Sequence, residues 1–79
     1  MEVKELAAIL SNEGFRPESY DLSGCGRNES YVLREDHAIW SVFYSERGNE
    51  NDKRMFGREA LACDDLLTRL RADPTTKQR

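Results

Sequence analysis

The chain contains a single histidine, two cysteines and two prolines. No apolar run approaches the roughly 18 residues of a membrane span. Each shortage excludes something. His37 alone cannot supply a histidine pair for acid–base work, and it sits in a predicted reversal beside Asp36 as a solvated surface group. Cys25 and Cys63 form no Cys-x-x-Cys ligand pair and fall short of the four or more cysteines that staple small secreted domains. Both are expected to be free thiols in a reducing compartment. Basic residues are in deficit, with 12 Lys and Arg against 15 Asp and Glu, a net charge of −3 and a pI near 5.1. That balance argues against a nucleic-acid surface, which usually needs a basic patch. Gly24-Cys25-Gly26 lacks the lysine and the following helix start of a phosphate loop. The opening Met1-Glu2-Val3-Lys4 has no apolar secretion segment, and a cytoplasmic location is expected.

What is present is a lean core and a charged surface. Hydrophobic residues are 38% of the chain and charged residues 34%. A 79-residue chain makes one small domain, burying roughly 60–65% of its unfolded surface. Trp40 and the Phe, Tyr, Leu, Ile and Val residues suffice for a single two-layer core.

Residues 2–13 read as a helix with Val3, Leu6, Ala7 and Leu10 on one face, broadened by Ile9, and Gly14 ending it in a left-handed conformation. From Arg16 to Asn28 the chain reads as an ordered loop containing a short extended piece at Tyr20 and Leu22. Residues 30–36 and 39–46 carry the β-favouring runs and predict strands, with a tight reversal between them. On the second, Trp40, Val42 and Tyr44 share the core-facing side, while Phe43 is apolar on the other. A polar loop over 47–51 and a short third strand over 53–56 follow. Residues 58–72 predict a second helix with Leu61, Leu66, Leu67 and Leu70 on its stripe and Gly57 as its cap.

The expected fold is α+β: helix, three-stranded antiparallel meander, helix, in two layers with both helices on one sheet face and the other face open. The domain is expected over residues 1–74, with a frayed polar tail over 75–79.

The carboxylates of Glu35-Asp36 and Asp64-Asp65 read as solvated faces. Glu46, Glu50 and Asp52 crowd one hairpin end and present negative potential to a basic partner. Glu46 and Arg47 are candidate anchors at that end, with Phe43 or Tyr44 as an apolar anchor. The candidate partner-binding set is therefore Phe43, Tyr44, Glu46, Arg47, Glu50 and Asp52; no catalytic residue, metal ligand or cofactor is assigned. Two other constellations compete. Cys25 and His37 are a conceivable nucleophile pair. Arg47, Lys53, Arg54 and Arg58 beside Trp40, Phe43 and Tyr44 are a conceivable RNA-reading sheet.

Gly14-Phe15-Arg16-Pro17, Tyr20, Leu22, Asn28-Glu29 before Tyr31-Val32-Leu33, and Trp40-Ser41-Val42 leading into Tyr44-Ser45-Glu46-Arg47-Gly48 resemble a family of small bacterial immunity proteins. These are the antidotes of contact-dependent growth-inhibition and other polymorphic toxins. Phe56, Glu59, Ala62-Cys63, Leu66-Leu67 and Asp73-Pro74-Thr75 extend the similarity over residues 14–76, while Gly57 stands where Ser, Thr or Asp is the usual cap. The resemblance implies a cytoplasmic, non-catalytic inhibitor that occludes the active site of one cognate toxin domain, a nuclease or an NAD-degrading enzyme. It hands over no contact residues. A regulatory or adaptor domain unconnected with toxins is the alternative. Neither reading specifies an oligomeric state.

Overall fold

The computed structural model describes residues 1–77. Helix α1 (Val3–Asn12) is followed by a 3-10 turn (Pro17–Ser19) and the two-residue strand β1 (Tyr20–Asp21). Strands β2 (Ser30–Asp36), β3 (Ile39–Glu46) and β4 (Asn49–Phe56) come next, then helix α2 (Glu59–Ala72) and a closing 3-10 turn (Pro74–Thr76). The α+β class and the two long helices are as expected. The sheet is not the expected three-stranded antiparallel meander. It has four strands in the order β1-β2-β3-β4, and β1 runs parallel to β2. The short extended piece at Tyr20 thus joins the sheet edge, pairing in parallel over only two residues, Tyr20 with Tyr31 and Asp21 with Val32.

Local chemistry explains the element ends. Gly14 has a φ of +77°, and the N–H groups of Gly14 and Phe15 donate to the carbonyls of Ser11 and Leu10 at 3.2 and 3.1 Å, which closes α1 in a Schellman motif. Gly57 is not the cap of α2; Arg58 occupies that position without a side-chain cap. Both hairpins turn in two residues with positive φ, His37 and Ala38 in one and Arg47 and Gly48 in the other. Their backbone matches the strand twist. The second turn corrects the loop expected over 47–51, because closing in two residues lets Asn49–Asn51 pair with β3. These polar residues have poor strand propensity, but β4 is an exposed edge and needs only the ladder supplied by β3.

Ala38 adopts a φ of +67° with no compensating glycine. Ala38→Gly is expected to stabilise the fold by roughly 0.5–1 kcal/mol by relieving the left-handed strain. Thermal unfolding should show a Tm rise of about 3–6 °C.

The main core joins Leu6 and Leu10 of α1, Phe15, Leu33 and Val42 of the sheet, and Ala62, Cys63, Leu66, Leu67 and Leu70 of α2. Helix α2 packs across β2, β3 and β4, and α1 packs on α2. Leu61 is absent from this core and 52% exposed, and the buried stripe of α2 runs instead through Ala62, Cys63, Leu66, Leu67 and Leu70. Residues 75–77 are not frayed: Thr76 is buried, its hydroxyl donates to the Leu70 carbonyl at 2.8 Å, and Lys77 bridges to Phe15. The rest of the expected tail, residues 78–79, lies outside the described residues.

Candidate functional site

The sheet has two unlike faces, and the alternation of β3 divides the predicted site between them. Residues Trp40, Val42, Tyr44 and Glu46 point to the helix side. Ser41, Phe43 and Ser45 point to the other.

That second face is not open over its centre. Phe43 and its cross-strand partner Val32 are both 0% exposed and lie outside the main core. The loop over 22–29 covers them. Asp21 organises the loop by accepting four hydrogen bonds: from Ser23 N–H at 2.9 Å, Ser23 Oγ at 2.5 Å, Gly26 N–H at 3.0 Å and Arg27 N–H at 3.2 Å. Burial pushes the Asp21 carboxyl upward, but the Ser23 hydroxyl and the three backbone donors outweigh it and hold it below its ordinary value. Arg34 completes the cover. Its Nε donates to the Gly24 carbonyl at 3.0 Å, and its guanidinium sits 4.8 Å above the Phe43 ring centroid. Gly24 has a φ of +81°, and a Cβ there would stand 3.2 Å from Arg34 Cγ, so the loop can approach this closely only with glycine. Phe43 is therefore a second small core and not an anchor offered to a partner.

Glu50 is on the same side as Phe43. Its two oxygens pair with Arg34 and Lys53, each at 2.9 Å, and Lys53, followed by Arg34, holds its carboxyl below the ordinary carboxylate range. Its charge is spent within the chain. The acidic hairpin end expected from Glu46, Glu50 and Asp52 is consequently split, with Glu50 neutralised on one face. Arg47 is in the hairpin turn, where its backbone N–H donates to Asn28 Oδ1 at 2.5 Å and its side chain is exposed.

On the helix side, α2 leaves the end of the sheet uncovered. An open groove of about 990 Å³ runs between β3–β4 and the C-terminal half of α2. Tyr31, Tyr44, Glu46, Asp52, Arg54, Asp65, Arg69 and Asp73 line it. A smaller hollow of about 160 Å³ shares Tyr31, Tyr44 and Asp73 and is bounded by Arg16 and Glu29. A bulge shapes the outer lip: β3 and β4 shift register between Val42 and Tyr44, and Asp52 takes a φ of +53°. The extra residue turns Asp52 into the groove while Lys53 stays on the Phe43 side.

The groove's charges differ in how far they are committed. Arg69 Nε lies 2.8 Å from Asp65 Oδ2 without hydrogen-bond geometry, and Arg54 Nη1 lies 3.9 Å from Asp65 Oδ1, so these three form an internal cluster. Asp73 is fixed by Thr75 N–H and hydroxyl donors at 3.0 and 2.7 Å and by the Tyr31 hydroxyl at 3.0 Å. The Thr75 hydroxyl leads in holding the Asp73 carboxyl below its usual range. Burial, with Asp73 beside it, pushes Tyr31 up to about 12, so Tyr31 remains a donor. Tyr44 is raised by burial and then by Glu46, Glu29 and Asp73. Among the described residues, Glu46 and Asp52 make no ion pair.

Of the six predicted residues, the groove gathers Tyr44, Glu46 and Asp52. It adds Tyr31, Asp65, Arg69 and Asp73, none of which the strand pattern singled out for binding. Asp73-Pro74-Thr75 carried a readable local turn signal, but its meeting with Tyr31 depends on tertiary packing.

Both cysteines are free: Cys25 is exposed in the glycine loop, and Cys63 is buried in α2 with its thiol pushed up to about 11 by that burial. His37 is at the tip of the β2–β3 turn, 3.4 Å from Asp36. Among the described residues, no group of three His, Cys, Asp or Glu is placed to hold a metal ion, and no helix is long and apolar enough to cross a membrane. Comparison with known proteins found no matching family model, no similar curated protein and no similar solved structure.

Proposed function

We propose that this chain is an immunity protein: a cytoplasmic, non-catalytic inhibitor that binds one cognate toxin domain of nuclease or NAD-degrading type and occludes its active site. The observation that carries the reading is the open groove with the Tyr31–Tyr44 pair on its wall and, at its lip, the carboxylates of Glu46 and Asp52, which make no ion pair among the described residues. A groove of this size with committed internal pairs and free carboxylates suits a basic protein surface. Opposite potentials speed encounter and penalise wrong partners. A toxin that acts on a polyanion carries such a basic surface around its active site, and covering it excludes the substrate without chemistry. The residue pattern around Trp40 and Tyr44–Gly48 supplies the family direction; the groove supplies the surface.

The test is affinity capture of the tagged chain from its own source cells, with bound proteins identified by mass spectrometry. A single stoichiometric partner bearing a basic toxin domain, whose activity the chain abolishes, is the expected result. Several unrelated partners favour an adaptor, and RNA alone favours a nucleic-acid binder; either overturns the reading.

With the partner in hand, the double change Glu46→Lys, Asp52→Asn is expected to weaken binding by about tenfold or more, equivalent to about 1.4 kcal/mol. Asparagine is chosen at position 52 because it tolerates the left-handed backbone. The Tm should stay within a few degrees, since both side chains are exposed and unpaired among the described residues. Unchanged affinity measured by calorimetry would remove the groove from the interface.

A further inference from the structure

We infer that the Tyr31–Tyr44 pair is a seat for a cationic side chain, an arginine above all, presented by a protein partner. This deepens the groove reading and rests on it.

The two rings have centroids 4.9 Å apart and are tilted by 58°, so they form a continuous aromatic wall instead of a stacked plug. Tyr31, Tyr44 and Asp73 line both the main groove and the smaller hollow, which places them at the junction where one entering side chain can touch all three. Carboxylates surround that junction. Glu46 and Glu29 face Tyr44, and Asp73 faces both tyrosines. Two basic groups also face it. Arg69 lies beside Tyr31 but is held at 2.8 Å by Asp65, and Arg16 faces Asp73 from the hollow. The balance at Tyr44 is negative: every charged group that bears on its hydroxyl is a carboxylate.

The seat is also prearranged. Asp73 is locked by Thr75 and by the Tyr31 hydroxyl, so no side-chain search is needed before a cation arrives. A guanidinium is favoured over an ammonium. It is planar and weakly hydrated, lies flat on an aromatic face, and can fork toward Glu46 while remaining stacked. An ammonium would meet the same carboxylates as a point charge and gain less from the rings.

The experiment needs no toxin. The ¹⁵N-labelled full chain is titrated with hexa-arginine, and separately with hexa-lysine, at low ionic strength, with amide shifts followed by NMR. The expected shifts centre on Tyr31, Tyr44, Glu46 and Asp73, and hexa-arginine binds about threefold or more tighter than hexa-lysine. Glu46→Lys, at an exposed position, weakens hexa-arginine binding by about fivefold or more, and Tyr44→Phe, which keeps the ring, changes it by less than about twofold. No binding, shifts centred on Glu35–Asp36 or Asp64, equal affinity for the two peptides, or indifference to Glu46→Lys overturns the seat. The two readings fail separately. A toxin captured from cells by a chain whose groove ignores hexa-arginine leaves the immunity role standing without the seat. A seat that binds hexa-arginine in a chain that captures no toxin leaves the seat without that role.

Discussion

Phe43→Ala is expected to destabilise the fold by about 3–5 kcal/mol, the range for emptying a buried aromatic site. A 79-residue domain stands on about 4–12 kcal/mol in total, so this one change can consume most of its stability. The loss has identifiable parts. The ring is fully buried against Val32, Arg34 stacks on it at 4.8 Å, and Lys53 lies 5.7 Å from its centroid. Removing it leaves a cavity beneath the 22–29 loop and takes the aromatic face from two cations. Phe43→Leu retains most of the volume and should lose roughly 1–2 kcal/mol while staying folded. Chemical denaturation measures both. The leucine variant then separates two roles for this residue. If Phe43 acts only inside the fold, the variant binds the cognate partner within about twofold of the parent chain. A binding loss much larger than the stability loss would restore Phe43 as a contact residue.

Asp21→Ala is expected to lower stability by about 3 kcal/mol, because one carboxylate satisfies four donors and truncation strands three backbone N–H groups in a part-buried loop. The Tm should fall by roughly 10–20 °C. Asp21→Asn restores an acceptor for Ser23 but turns an NH₂ toward the Gly26 and Arg27 donors, and should recover less than half of the loss. The pH dependence follows from the direction of the shift. The folded carboxyl titrates below its ordinary value of 3.8, so its contribution is fully present above that value. As the pH falls through the lower folded value, the native state must take up a proton that breaks the loop's hydrogen bonds, and the contribution is lost. Asp73 shifts in the same direction and adds to this acid limb. Denaturant midpoints between pH 2 and 6 should therefore fall more steeply for the parent chain than for Asp21→Asn. Parallel curves would mean that Asp21 does not carry the acid sensitivity.

The two changes test one physical idea, that the face of the sheet away from the helices is closed by a loop instead of a layer. A small domain has too little chain for a third layer of secondary structure. Here a carboxylate cage, one close glycine approach at Gly24 and one arginine do the covering. The arrangement also decides where a partner can reach the sheet: the groove beside α2 is uncovered, while the centre of the Phe43 face is not.

How much of this was legible depended on distance along the chain. Helix α1 and its end at Gly14 follow from apolar spacing and from a left-handed glycine, both local properties. The spans of β2 and β3 and the core-facing side of Trp40 and Val42 follow from β-favouring runs and their alternation. Asp21-Leu22-Ser23 carries a local turn signal, but an aspartate in a glycine-rich loop is ordinarily solvated, and only the folded loop brings Gly26 and Arg27 to the same carboxylate.

The remainder was set by contacts between distant segments. Phe43 looked like an exposed anchor because alternation assigns a side of the sheet but not what lies over that side. Glu50 looked free because its neutralising partner Arg34 is on another strand. The groove joins Tyr31 to Asp73 across 42 positions, and no spacing rule connects them. Local sequence determined the two long helices, the spans of β2 and β3, the reversal between them and the sign of the charge, because propensity and alternation act over a few residues. Tertiary structure alone decided which carboxylates are neutralised, which aromatic is buried and where a groove stays open, because burial and ion pairing belong to surfaces that only chain folding brings together.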